Sequence, residues 1–434
     1  MQTVEVKLWN TTIGTLGYAP GQKRIATFEF DKKFMSMRIS PSPLKLNINT
    51  TLHSFEDIST RTFHGLPGFI ADSLPDKFGT QLIDLYFASK GISENDITAL
   101  DRLLYVGNRG MGALEYVPAT DLDTKNNDVI LDINSLSEIA EMLLAKQDIL
   151  STNLKKSEHQ QAVKLLQIGS SAGGARAKAL VAIDNNNKFY DGTVVHEFEC
   201  KYYLVKFDSS NNSDRDNKDP KGMTRVEYIY SLIAKACDIT MPETTYIEID
   251  DDFHFLIERF DRVQIKKSLQ KLHYVSWCGM AHAHRDTTGT YSYEQLVMTA
   301  RELGLGQDTV LEIFKRAVFN IVGRNQDDHT KNFGFLMNKK AQWQLSPAFD
   351  MTYSYDPTGK WTNVHQIRLN NKQSNFLMHD FISFGSYCNL TEKKVIDIVM
   401  HTIKSFSRFS EYAEEYRVSQ ELKETVLSNL ISTL

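Results

Sequence analysis

Asp327 and Asn332 stand five residues apart in the segment Arg324 to Phe335, RNQDDHTKNFGF, with His329 between them. A chain that carries this spacing must fold one loop stiff enough to hold a carboxylate and an amide together, which lets the loop present a base beside a hard-cation ligand. The flanking pattern supplies such a frame. Val310, Phe314, Val318 and Ile321 recur at helical spacing, with Asp308 placed to cap the helix and Gly323 to stop it. An apolar strand, GFLM, follows the loop. Eighteen residues past Asn332, the segment LSPAFDM delivers the single carboxylate of Asp350, in the manner of a kinase metal-binding aspartate. The set suggests phosphoryl transfer from ATP.

Composition narrows the alternatives. The 434 residues are 41% apolar and 24% charged, which is ordinary for a soluble globular chain, and the length allows two to four packing units at ~100 to 200 residues each. A net charge of -5 gives no basic footprint, and Lys23, Arg24, Lys32, Lys33 and Lys221 form no aromatic-basic stripe, so a nucleic-acid surface is not expected. MQTVEVKLW lacks a cationic segment before an apolar run, and no run of ~18 apolar residues follows, so a cytoplasmic location without a membrane partner is expected. Cys200, Cys237, Cys278 and Cys388 lack CxxC spacing and read as buried thiols. His282 and His284, with His273 nearby, have no carboxylate or cysteine to complete a zinc set and read as structural or substrate-side polar residues.

Local patterns divide the chain into residues 1–120, 121–261 and 262–434. The first part pairs VEVKLW with IGTLGY across Asn10 to Thr12, and then places a helix after Asp76 through Phe78, Leu82, Ile83, Leu85 and Tyr86 that stops at Gly91. The second part reads Leu165 to Ile168 as a strand, Gly169 to Lys178 as a loop and ALVAI as the returning strand, so that the glycine run joins two strands. KYYLVKF then sets Tyr202, Leu204 and Lys206 on one face. Residues 208–222 read as a mobile loop, and a helix follows with Glu227 beside a stripe of Tyr228, Leu232 and Ile233. TTYIEI and FHFLIERF are strands around an Asp250 to Asp252 turn, and the sequence from about residue 262 reads as helical.

Each part of a phosphotransferase has a candidate. Gly169 to Gly174 would bring backbone N-H groups close to phosphate oxygens. Its Walker-A spacing fails as a P-loop because Ala175 holds the lysine position and a strand follows, and an ordinary glycine-rich hairpin fits the run equally well. Lys206 would contact phosphate and Glu227 would hold Lys206, although a solvated lysine and a surface glutamate are the commoner readings of such residues. Asp327 would take or orient the proton of the substrate hydroxyl, while Asn332 and Asp350 would hold magnesium through hard oxygens. Asp-rich loops are usually turns, but the order of residue types favours the kinase-like reading.

Several separate motifs then carry a resemblance to the HipA family of bacterial toxin kinases over essentially the whole chain. FIADSLPDKFG and LLYVGNRGMGALEYVP resemble its N-terminal subdomain, SSAGGARAKALV its phosphate loop, YLVKF its lysine strand, LIERFDR its hinge, NQDDHTKNFGF its catalytic loop and LSPAFDM its metal-binding segment. The resemblance implies an α+β, two-lobed protein-kinase-like fold, with a β-rich N-terminal subdomain and a mostly helical C-terminal lobe. It also implies ATP with magnesium and phosphorylation of protein serine or threonine. Asp327 would then be the base, Asn332 and Asp350 the metal ligands, and Lys206 the phosphate contact. Glu258 and Phe260 would present hinge backbone to adenine, with Gly173, Gly174, Glu227, His329 and Lys331 completing the nucleotide site. Ser170 or Ser171 would be autophosphorylated, silencing the kinase. The loop departs from many relatives by Ala175, Arg176 and Ala177, with Lys178 one place later than their lysine.

The same resemblance implies a helix-turn-helix antitoxin as partner, DNA only through that antitoxin, and a translation-related protein substrate such as an aminoacyl-tRNA synthetase. Two competing readings are a small-molecule kinase of the aminoglycoside or choline type and an inactive scaffold that binds an antitoxin repressor. The N-terminal subdomain disfavours the first. The intact Lys206, Asp327, Asn332 and Asp350 set disfavours the second.

Overall fold

The structure is a computed structural model that describes residues 3–120, 122, 129–144, 163–169, 176–209, 220–265 and 268–434. The chain forms two compact units. The first comprises Met1–Pro41, Leu46–Lys221 and Thr245–Tyr274, and the second comprises Ser42–Lys45, Gly222–Thr244 and Val275–Leu434.

The first unit begins with β1 (Thr3–Leu8), β2 (Thr11–Tyr18), β3 (Ala26–Phe30), β4 (His53–Ser54) and β5 (Leu114–Val117), which form a sheet in the order β4-β3-β2-β1-β5. Period-two alternation in β1 buries Val4, Val6 and Leu8. The β1–β2 turn lies at Trp9 and Asn10, earlier than the expected Asn10 to Thr12, and both residues have positive φ, 50° and 64°. That backbone matches the right-handed twist of the flanking strands and leaves Thr11 and Thr12 free to pair. The helix Lys77–Ser89 follows Asp76 as expected, with Phe78, Leu82 and Ile83 buried and Gly91 at φ +77° beyond its end.

A second sheet in the same unit is built from β6 (Lys178–Asp184), β7 (Phe189–Asp191), β8 (Cys200–Lys206), β9 (Thr244–Ile249) and β10 (Asp252–Glu258), in the order β7-β6-β8-β10-β9. One face, through Ala179, Val181, Tyr203, Val205 and Leu256, packs against Phe78, Leu82, Leu136 and Ile168. The side chains of Tyr202, Leu204 and Lys206 alternate onto the opposite face, as the sequence pattern implies. Residues 163–168 are helical rather than extended. The Gly169 N-H donates to Leu165 O at 2.8 Å, and Leu165 and Ile168, three residues apart, are both fully buried. A four-residue apolar run satisfies either period, and here the helical one wins, so the glycine run follows a helix and precedes a strand.

The strand β10 leads into a buried ionic cluster. Asp261 accepts from Arg259 Nε at 3.0 Å and Nη2 at 2.9 Å, from Arg262 Nη1 at 2.6 Å and from the Gly112 N-H at 2.6 Å. The two guanidiniums also donate to the carbonyls of Gly110, Gly112 and Gly192 at 3.0 to 3.3 Å. Two cations on one anion leave an excess charge that these carbonyl dipoles offset. The cluster thereby ties the Arg259 to Arg262 segment to the turn that feeds β5. Burial pushes the Asp261 carboxyl up, but Arg259 and Arg262 outweigh it and hold the group at about 2. Burial pulls Arg262 down to about 10, where it is still charged at neutral pH.

The second unit is mostly helical, with Met223–Ala236, Tyr293–Glu302, Gln307–Val322, Met378–Tyr387, Glu392–Phe406 and Gln420–Asn429 as its longer helices. The expected change to helix at residue 262 comes later. The alternating segment forms a hairpin, β11 (Arg262–Ile265) with β12 (Ser268–Lys271), before β13 (His273–Ser276), and the last strand heads a sheet completed by β14 (Gly334–Met337) and β15 (Trp343–Leu345). In Met223–Ala236 the buried stripe runs through Val226, Ile229, Tyr230, Ile233 and Ala234, whereas Tyr228 and Leu232 are half-buried. Among the described residues no helix is long and apolar enough to cross a membrane. Three of the four cysteines are buried and all four are free thiols.

Asp261→Asn leaves two buried guanidiniums without their counter-charge and is expected to lower stability by ~3–5 kcal/mol at neutral pH in denaturant titration. The depressed carboxyl stabilises the fold above the ordinary carboxylate range near ~4, and that contribution fades as pH falls from there through about 2. The gap between wild type and Asp261→Asn should therefore narrow over that acid window and stay constant from pH ~5 to 8.

Candidate active site

The helix Gln307–Val322 delivers the Arg324 to Phe335 loop, the candidate catalytic loop. Its N-cap is Gly306, so Asp308 lies in the first turn instead of capping, where its charge still complements the helix dipole. Gly323 is the C-cap of the helix, and the Phe406 ring occupies the space that a side chain there would need. The Gly323 carbonyl accepts from Tyr230 Oη at 2.6 Å, which fixes the helix carrying Glu227 to the start of the loop. Arg324 then turns the chain at φ +54° and donates through Nε to Asn429 O at 2.7 Å.

Beyond Arg324 the loop is bolted to the segment that carries Asp350. Asn325 Nδ2 donates to Asp350 O at 3.2 Å and to Asn320 Oδ1 at 2.9 Å. Ser354 Oγ donates to Asn325 Oδ1 at 3.1 Å while accepting from the Asp327 N-H at 2.9 Å, and the Ser354 N-H donates to Arg324 O at 3.1 Å. Asn332 closes the loop on itself, donating from Nδ2 to Asp327 O at 2.7 Å. The structure thus brings Asp327, Asn332 and Asp350 together through the backbones of the two aspartates and the side-chain amide of Asn332. Asp327 is exposed, while Asn332 and Asp350 are half-buried. Asp350 itself sits at φ +52°, a conformation that aspartate tolerates better than most residues.

Lys206, Glu258 and Phe260 belong to the other unit, where Lys206 is placed directly across from Lys178 on β6 and from Phe255 on β10. Both lysines are buried, 7% and 3% exposed, which overturns the solvated reading of Lys206. Two cations at facing positions repel one another. Glu258 ends β10 opposite Tyr203, and the Phe260 ring lies 5.8 Å from that of Tyr274. Glu227 is 2% exposed on Met223–Ala236, so it is not a surface residue. His329 caps the short turn Thr330–Asn332, which contains Lys331. Gly173, Gly174, Ser170 and Ser171, and most of the expected mobile loop at 208–222, lie outside the described residues.

Burial, assisted by Lys45, lowers His282 to about 4, and burial lowers His273 to about 4 despite its hydrogen bond to Pro41 O. Among the described residues no cluster of three or more His, Cys, Asp or Glu side chains could hold a metal. The residue that sequence reasoning missed is Asp328. Its carboxylate is fully buried and accepts from Tyr293 Oη at 2.7 Å, His365 Nδ1 at 2.9 Å and the Gln366 N-H at 2.8 Å. The doubled aspartate was the one available signal, and it does not say which of the two turns inward.

A β-rich first unit with a lysine-bearing sheet face, and a mostly helical second unit with a pinned D-x-H-x-x-N loop, define an α+β protein of kinase-like fold. Residues 4–117 match the HipA N-terminal domain and residues 170–408 match the HipA-like C-terminal domain, so the chain belongs to the HipA family. The fold is similar to that of HipA from Shewanella oneidensis, solved with HipB and operator DNA, at a TM-score of 0.63 and 16% identity over 98% of this chain and 94% of that one. Two curated relatives carry names that assign them provisionally to the kinases. Y4dM of Sinorhizobium fredii is 24% identical over 241 residues, 52% of this chain and 55% of its own length. A Haemophilus influenzae protein is 24% identical over 242 residues, 47% of this chain and 70% of its own. The chain therefore spans little more than half the length of the first of these relatives.

Because the Phe406 ring fills the space beside Gly323, Gly323→Ala should overpack the base of the catalytic loop and cost ~1–3 kcal/mol in urea or thermal unfolding. A companion Phe406→Leu substitution should recover part of that loss, which a purely conformational effect at Gly323 would not allow.

Proposed function

We propose that this protein is an ATP- and magnesium-dependent protein serine/threonine kinase acting as the toxin of a toxin-antitoxin pair. The observation that carries the proposal is the bolted loop, in which hydrogen bonds to the Asp327 and Asp350 backbones, one of them from the Asn332 side chain, hold the three residues in one place with Asp327 exposed. Phosphoryl transfer asks for that kind of rigidity, since positioning and charge stabilisation do most of the catalysis. The donor set also suits the cation. Asn332 commits its Nδ2 to Asp327 O, which leaves Oδ1 as a hard ligand beside the Asp350 carboxylate. Magnesium is commonly held by one or two carboxylates together with phosphate oxygens and water, not by a cage of protein groups.

When bound, magnesium ATP supplies the phosphoryl group and neutralises its charge. In this reading Lys206 contacts the phosphates, with Lys178 beside it, while Glu258 and Phe260 offer hinge backbone to adenine. Gly173, Gly174, Glu227, His329 and Lys331 keep the supporting nucleotide roles that the family resemblance gives them. Asp327 accepts or orients the proton of a protein hydroxyl. Solvent exposure of its carboxylate agrees with that task, because a macromolecular substrate must reach it. The substrate we favour is a translation-related protein such as an aminoacyl-tRNA synthetase. A helix-turn-helix antitoxin would be the regulatory partner and would bring DNA to the complex, a pairing supported by the HipB-bound state of the Shewanella protein. Phosphorylation of Ser170 or Ser171 would add about -1.5 to -2 charge beside the nucleotide phosphates and switch the enzyme off.

Incubation with γ-labelled ATP and a bacterial lysate, followed by phosphoprotein identification, tests the reading. Labelled protein serine or threonine is expected, with modification of Ser170 or Ser171 on the chain itself, whereas label confined to small molecules would contradict the proposal. Asp327→Gln should lower the rate ~10²- to 10⁴-fold with ATP binding intact, because the backbone of Asp327 keeps its two hydrogen bonds in the variant. Full activity in that variant would remove Asp327 from the mechanism. Asp350→Asn should likewise suppress transfer, by weakening magnesium.

A further inference from the structure

The second acid of the doublet is the buried one. We propose that Asp328 is a positioning residue that couples the catalytic loop to segment 362–373 through His365, so that the setting of Asp327 depends on that segment. The inference rests on the kinase reading above for its rate consequences, but not for its geometry.

A carboxylate with no solvent exposure is costly unless several donors satisfy it. Asp328 has three, from two stretches of chain: Tyr293 Oη from one, His365 Nδ1 and the Gln366 N-H from the other. The His365 ring is 1% exposed, and its Nε2 is buried without a hydrogen-bond partner among the described residues, so the polar work of this imidazole falls on Asp328. On the far side of the ring the segment is laced in place. The His365 N-H donates to Gln373 O at 3.1 Å, and Gln373 Nε2 returns a bond to His365 O at 2.7 Å. The Gly289 N-H donates to Gln366 O at 2.7 Å, and the Tyr293 N-H donates to Arg368 O at 2.8 Å.

From Asp328 the bonds also run toward the reaction. Tyr293 Oη accepts from Asn320 Nδ2 at 3.0 Å, and Asn320 Oδ1 accepts from Asn325 Nδ2 at 2.9 Å. Asn325 Oδ1 accepts from Ser354 Oγ at 3.1 Å, and that oxygen receives the Asp327 N-H at 2.9 Å. An unbroken series of hydrogen bonds therefore joins segment 362–373 to the backbone of Asp327. Such buried networks act as units, so loss of one member is felt along the series.

The test pairs kinetics with amide hydrogen exchange on the full chain. His365→Ala should lower kcat about tenfold or more while KM for ATP stays within about twofold, the signature of lost positioning. His365→Asn, which keeps a donor where Nδ1 stood, should recover kcat to within about threefold of wild type. Tyr293→Phe, which removes the hydroxyl that joins Asp328 to Asn320 and leaves His365 in place, should behave like His365→Ala and guards against a variant that fails to fold. In both damaged variants exchange should quicken across residues 325–332 as well as 362–373, but not in the helix Glu392–Phe406. Faster exchange confined to 362–373, or wild-type kcat in Tyr293→Phe, would overturn the coupling. A wild-type protein that transfers no phosphate to any acceptor would sink the kinase reading instead, and exchange would still decide the coupling.

Discussion

The hydrogen bonds from Asn325 and Ser354 that fasten the catalytic loop to the Asp350 segment are the constraint on which the rest of the site depends. A carboxylate, an amide and a second carboxylate separated by up to 23 positions could adopt many arrangements. Two side chains of modest size remove that freedom by bonding to backbone rather than to the reactive groups. Each bond has a net worth of only about 1 kcal/mol, but a buried amide that loses its partner costs more than the bond contributes, so the set resists partial opening.

The first unit follows a related logic with charge in place of neutral amides. Asp261 is buried among two guanidiniums and the Gly112 N-H, and these guanidiniums reach carbonyls in the Gly110 to Gly112 turn and at Gly192. Three separate stretches of the unit thus meet at one carboxylate. The sequence neighbours of that carboxylate, Glu258 and Phe260, are the residues assigned to the hinge. In this arrangement the N-terminal sheet and the strand that leads to the hinge are parts of one packed body, and not independent modules joined by a linker.

Much of this was legible because it is local. Asp76 and Gly91 bracket a helix by their own backbone preferences, Val4, Val6 and Leu8 declare a strand by alternation, and the five-residue spacing of Asp327 and Asn332 fits a single loop. What escaped depended on distant partners. Leu165 to Ile168 is too short for periodicity to choose between helix and strand, and the core beneath it made the choice. For Lys206 and Glu227 the sequence left a solvated charge as the commoner alternative to a nucleotide role, and only packing shows that both are buried. Asp328 differs from Asp327 in nothing but its partners, Tyr293 and His365, which lie 35 and 37 positions away. The glycine-loop residues Gly173, Gly174, Ser170 and Ser171 fall outside the described residues, so their assignments still rest on the family resemblance alone.

The central claim is that Asn332 and Asp350 are held ready for a nucleotide-bound divalent cation. Calorimetric titration of ATP into the wild-type protein and into Asp350→Asn, each with and without magnesium, tests it most directly. Wild type is expected to bind ATP about tenfold or more tightly when magnesium is present, and Asp350→Asn to lose most of that difference. ATP binding that is indifferent to magnesium, and equal in the two proteins, would contradict the account.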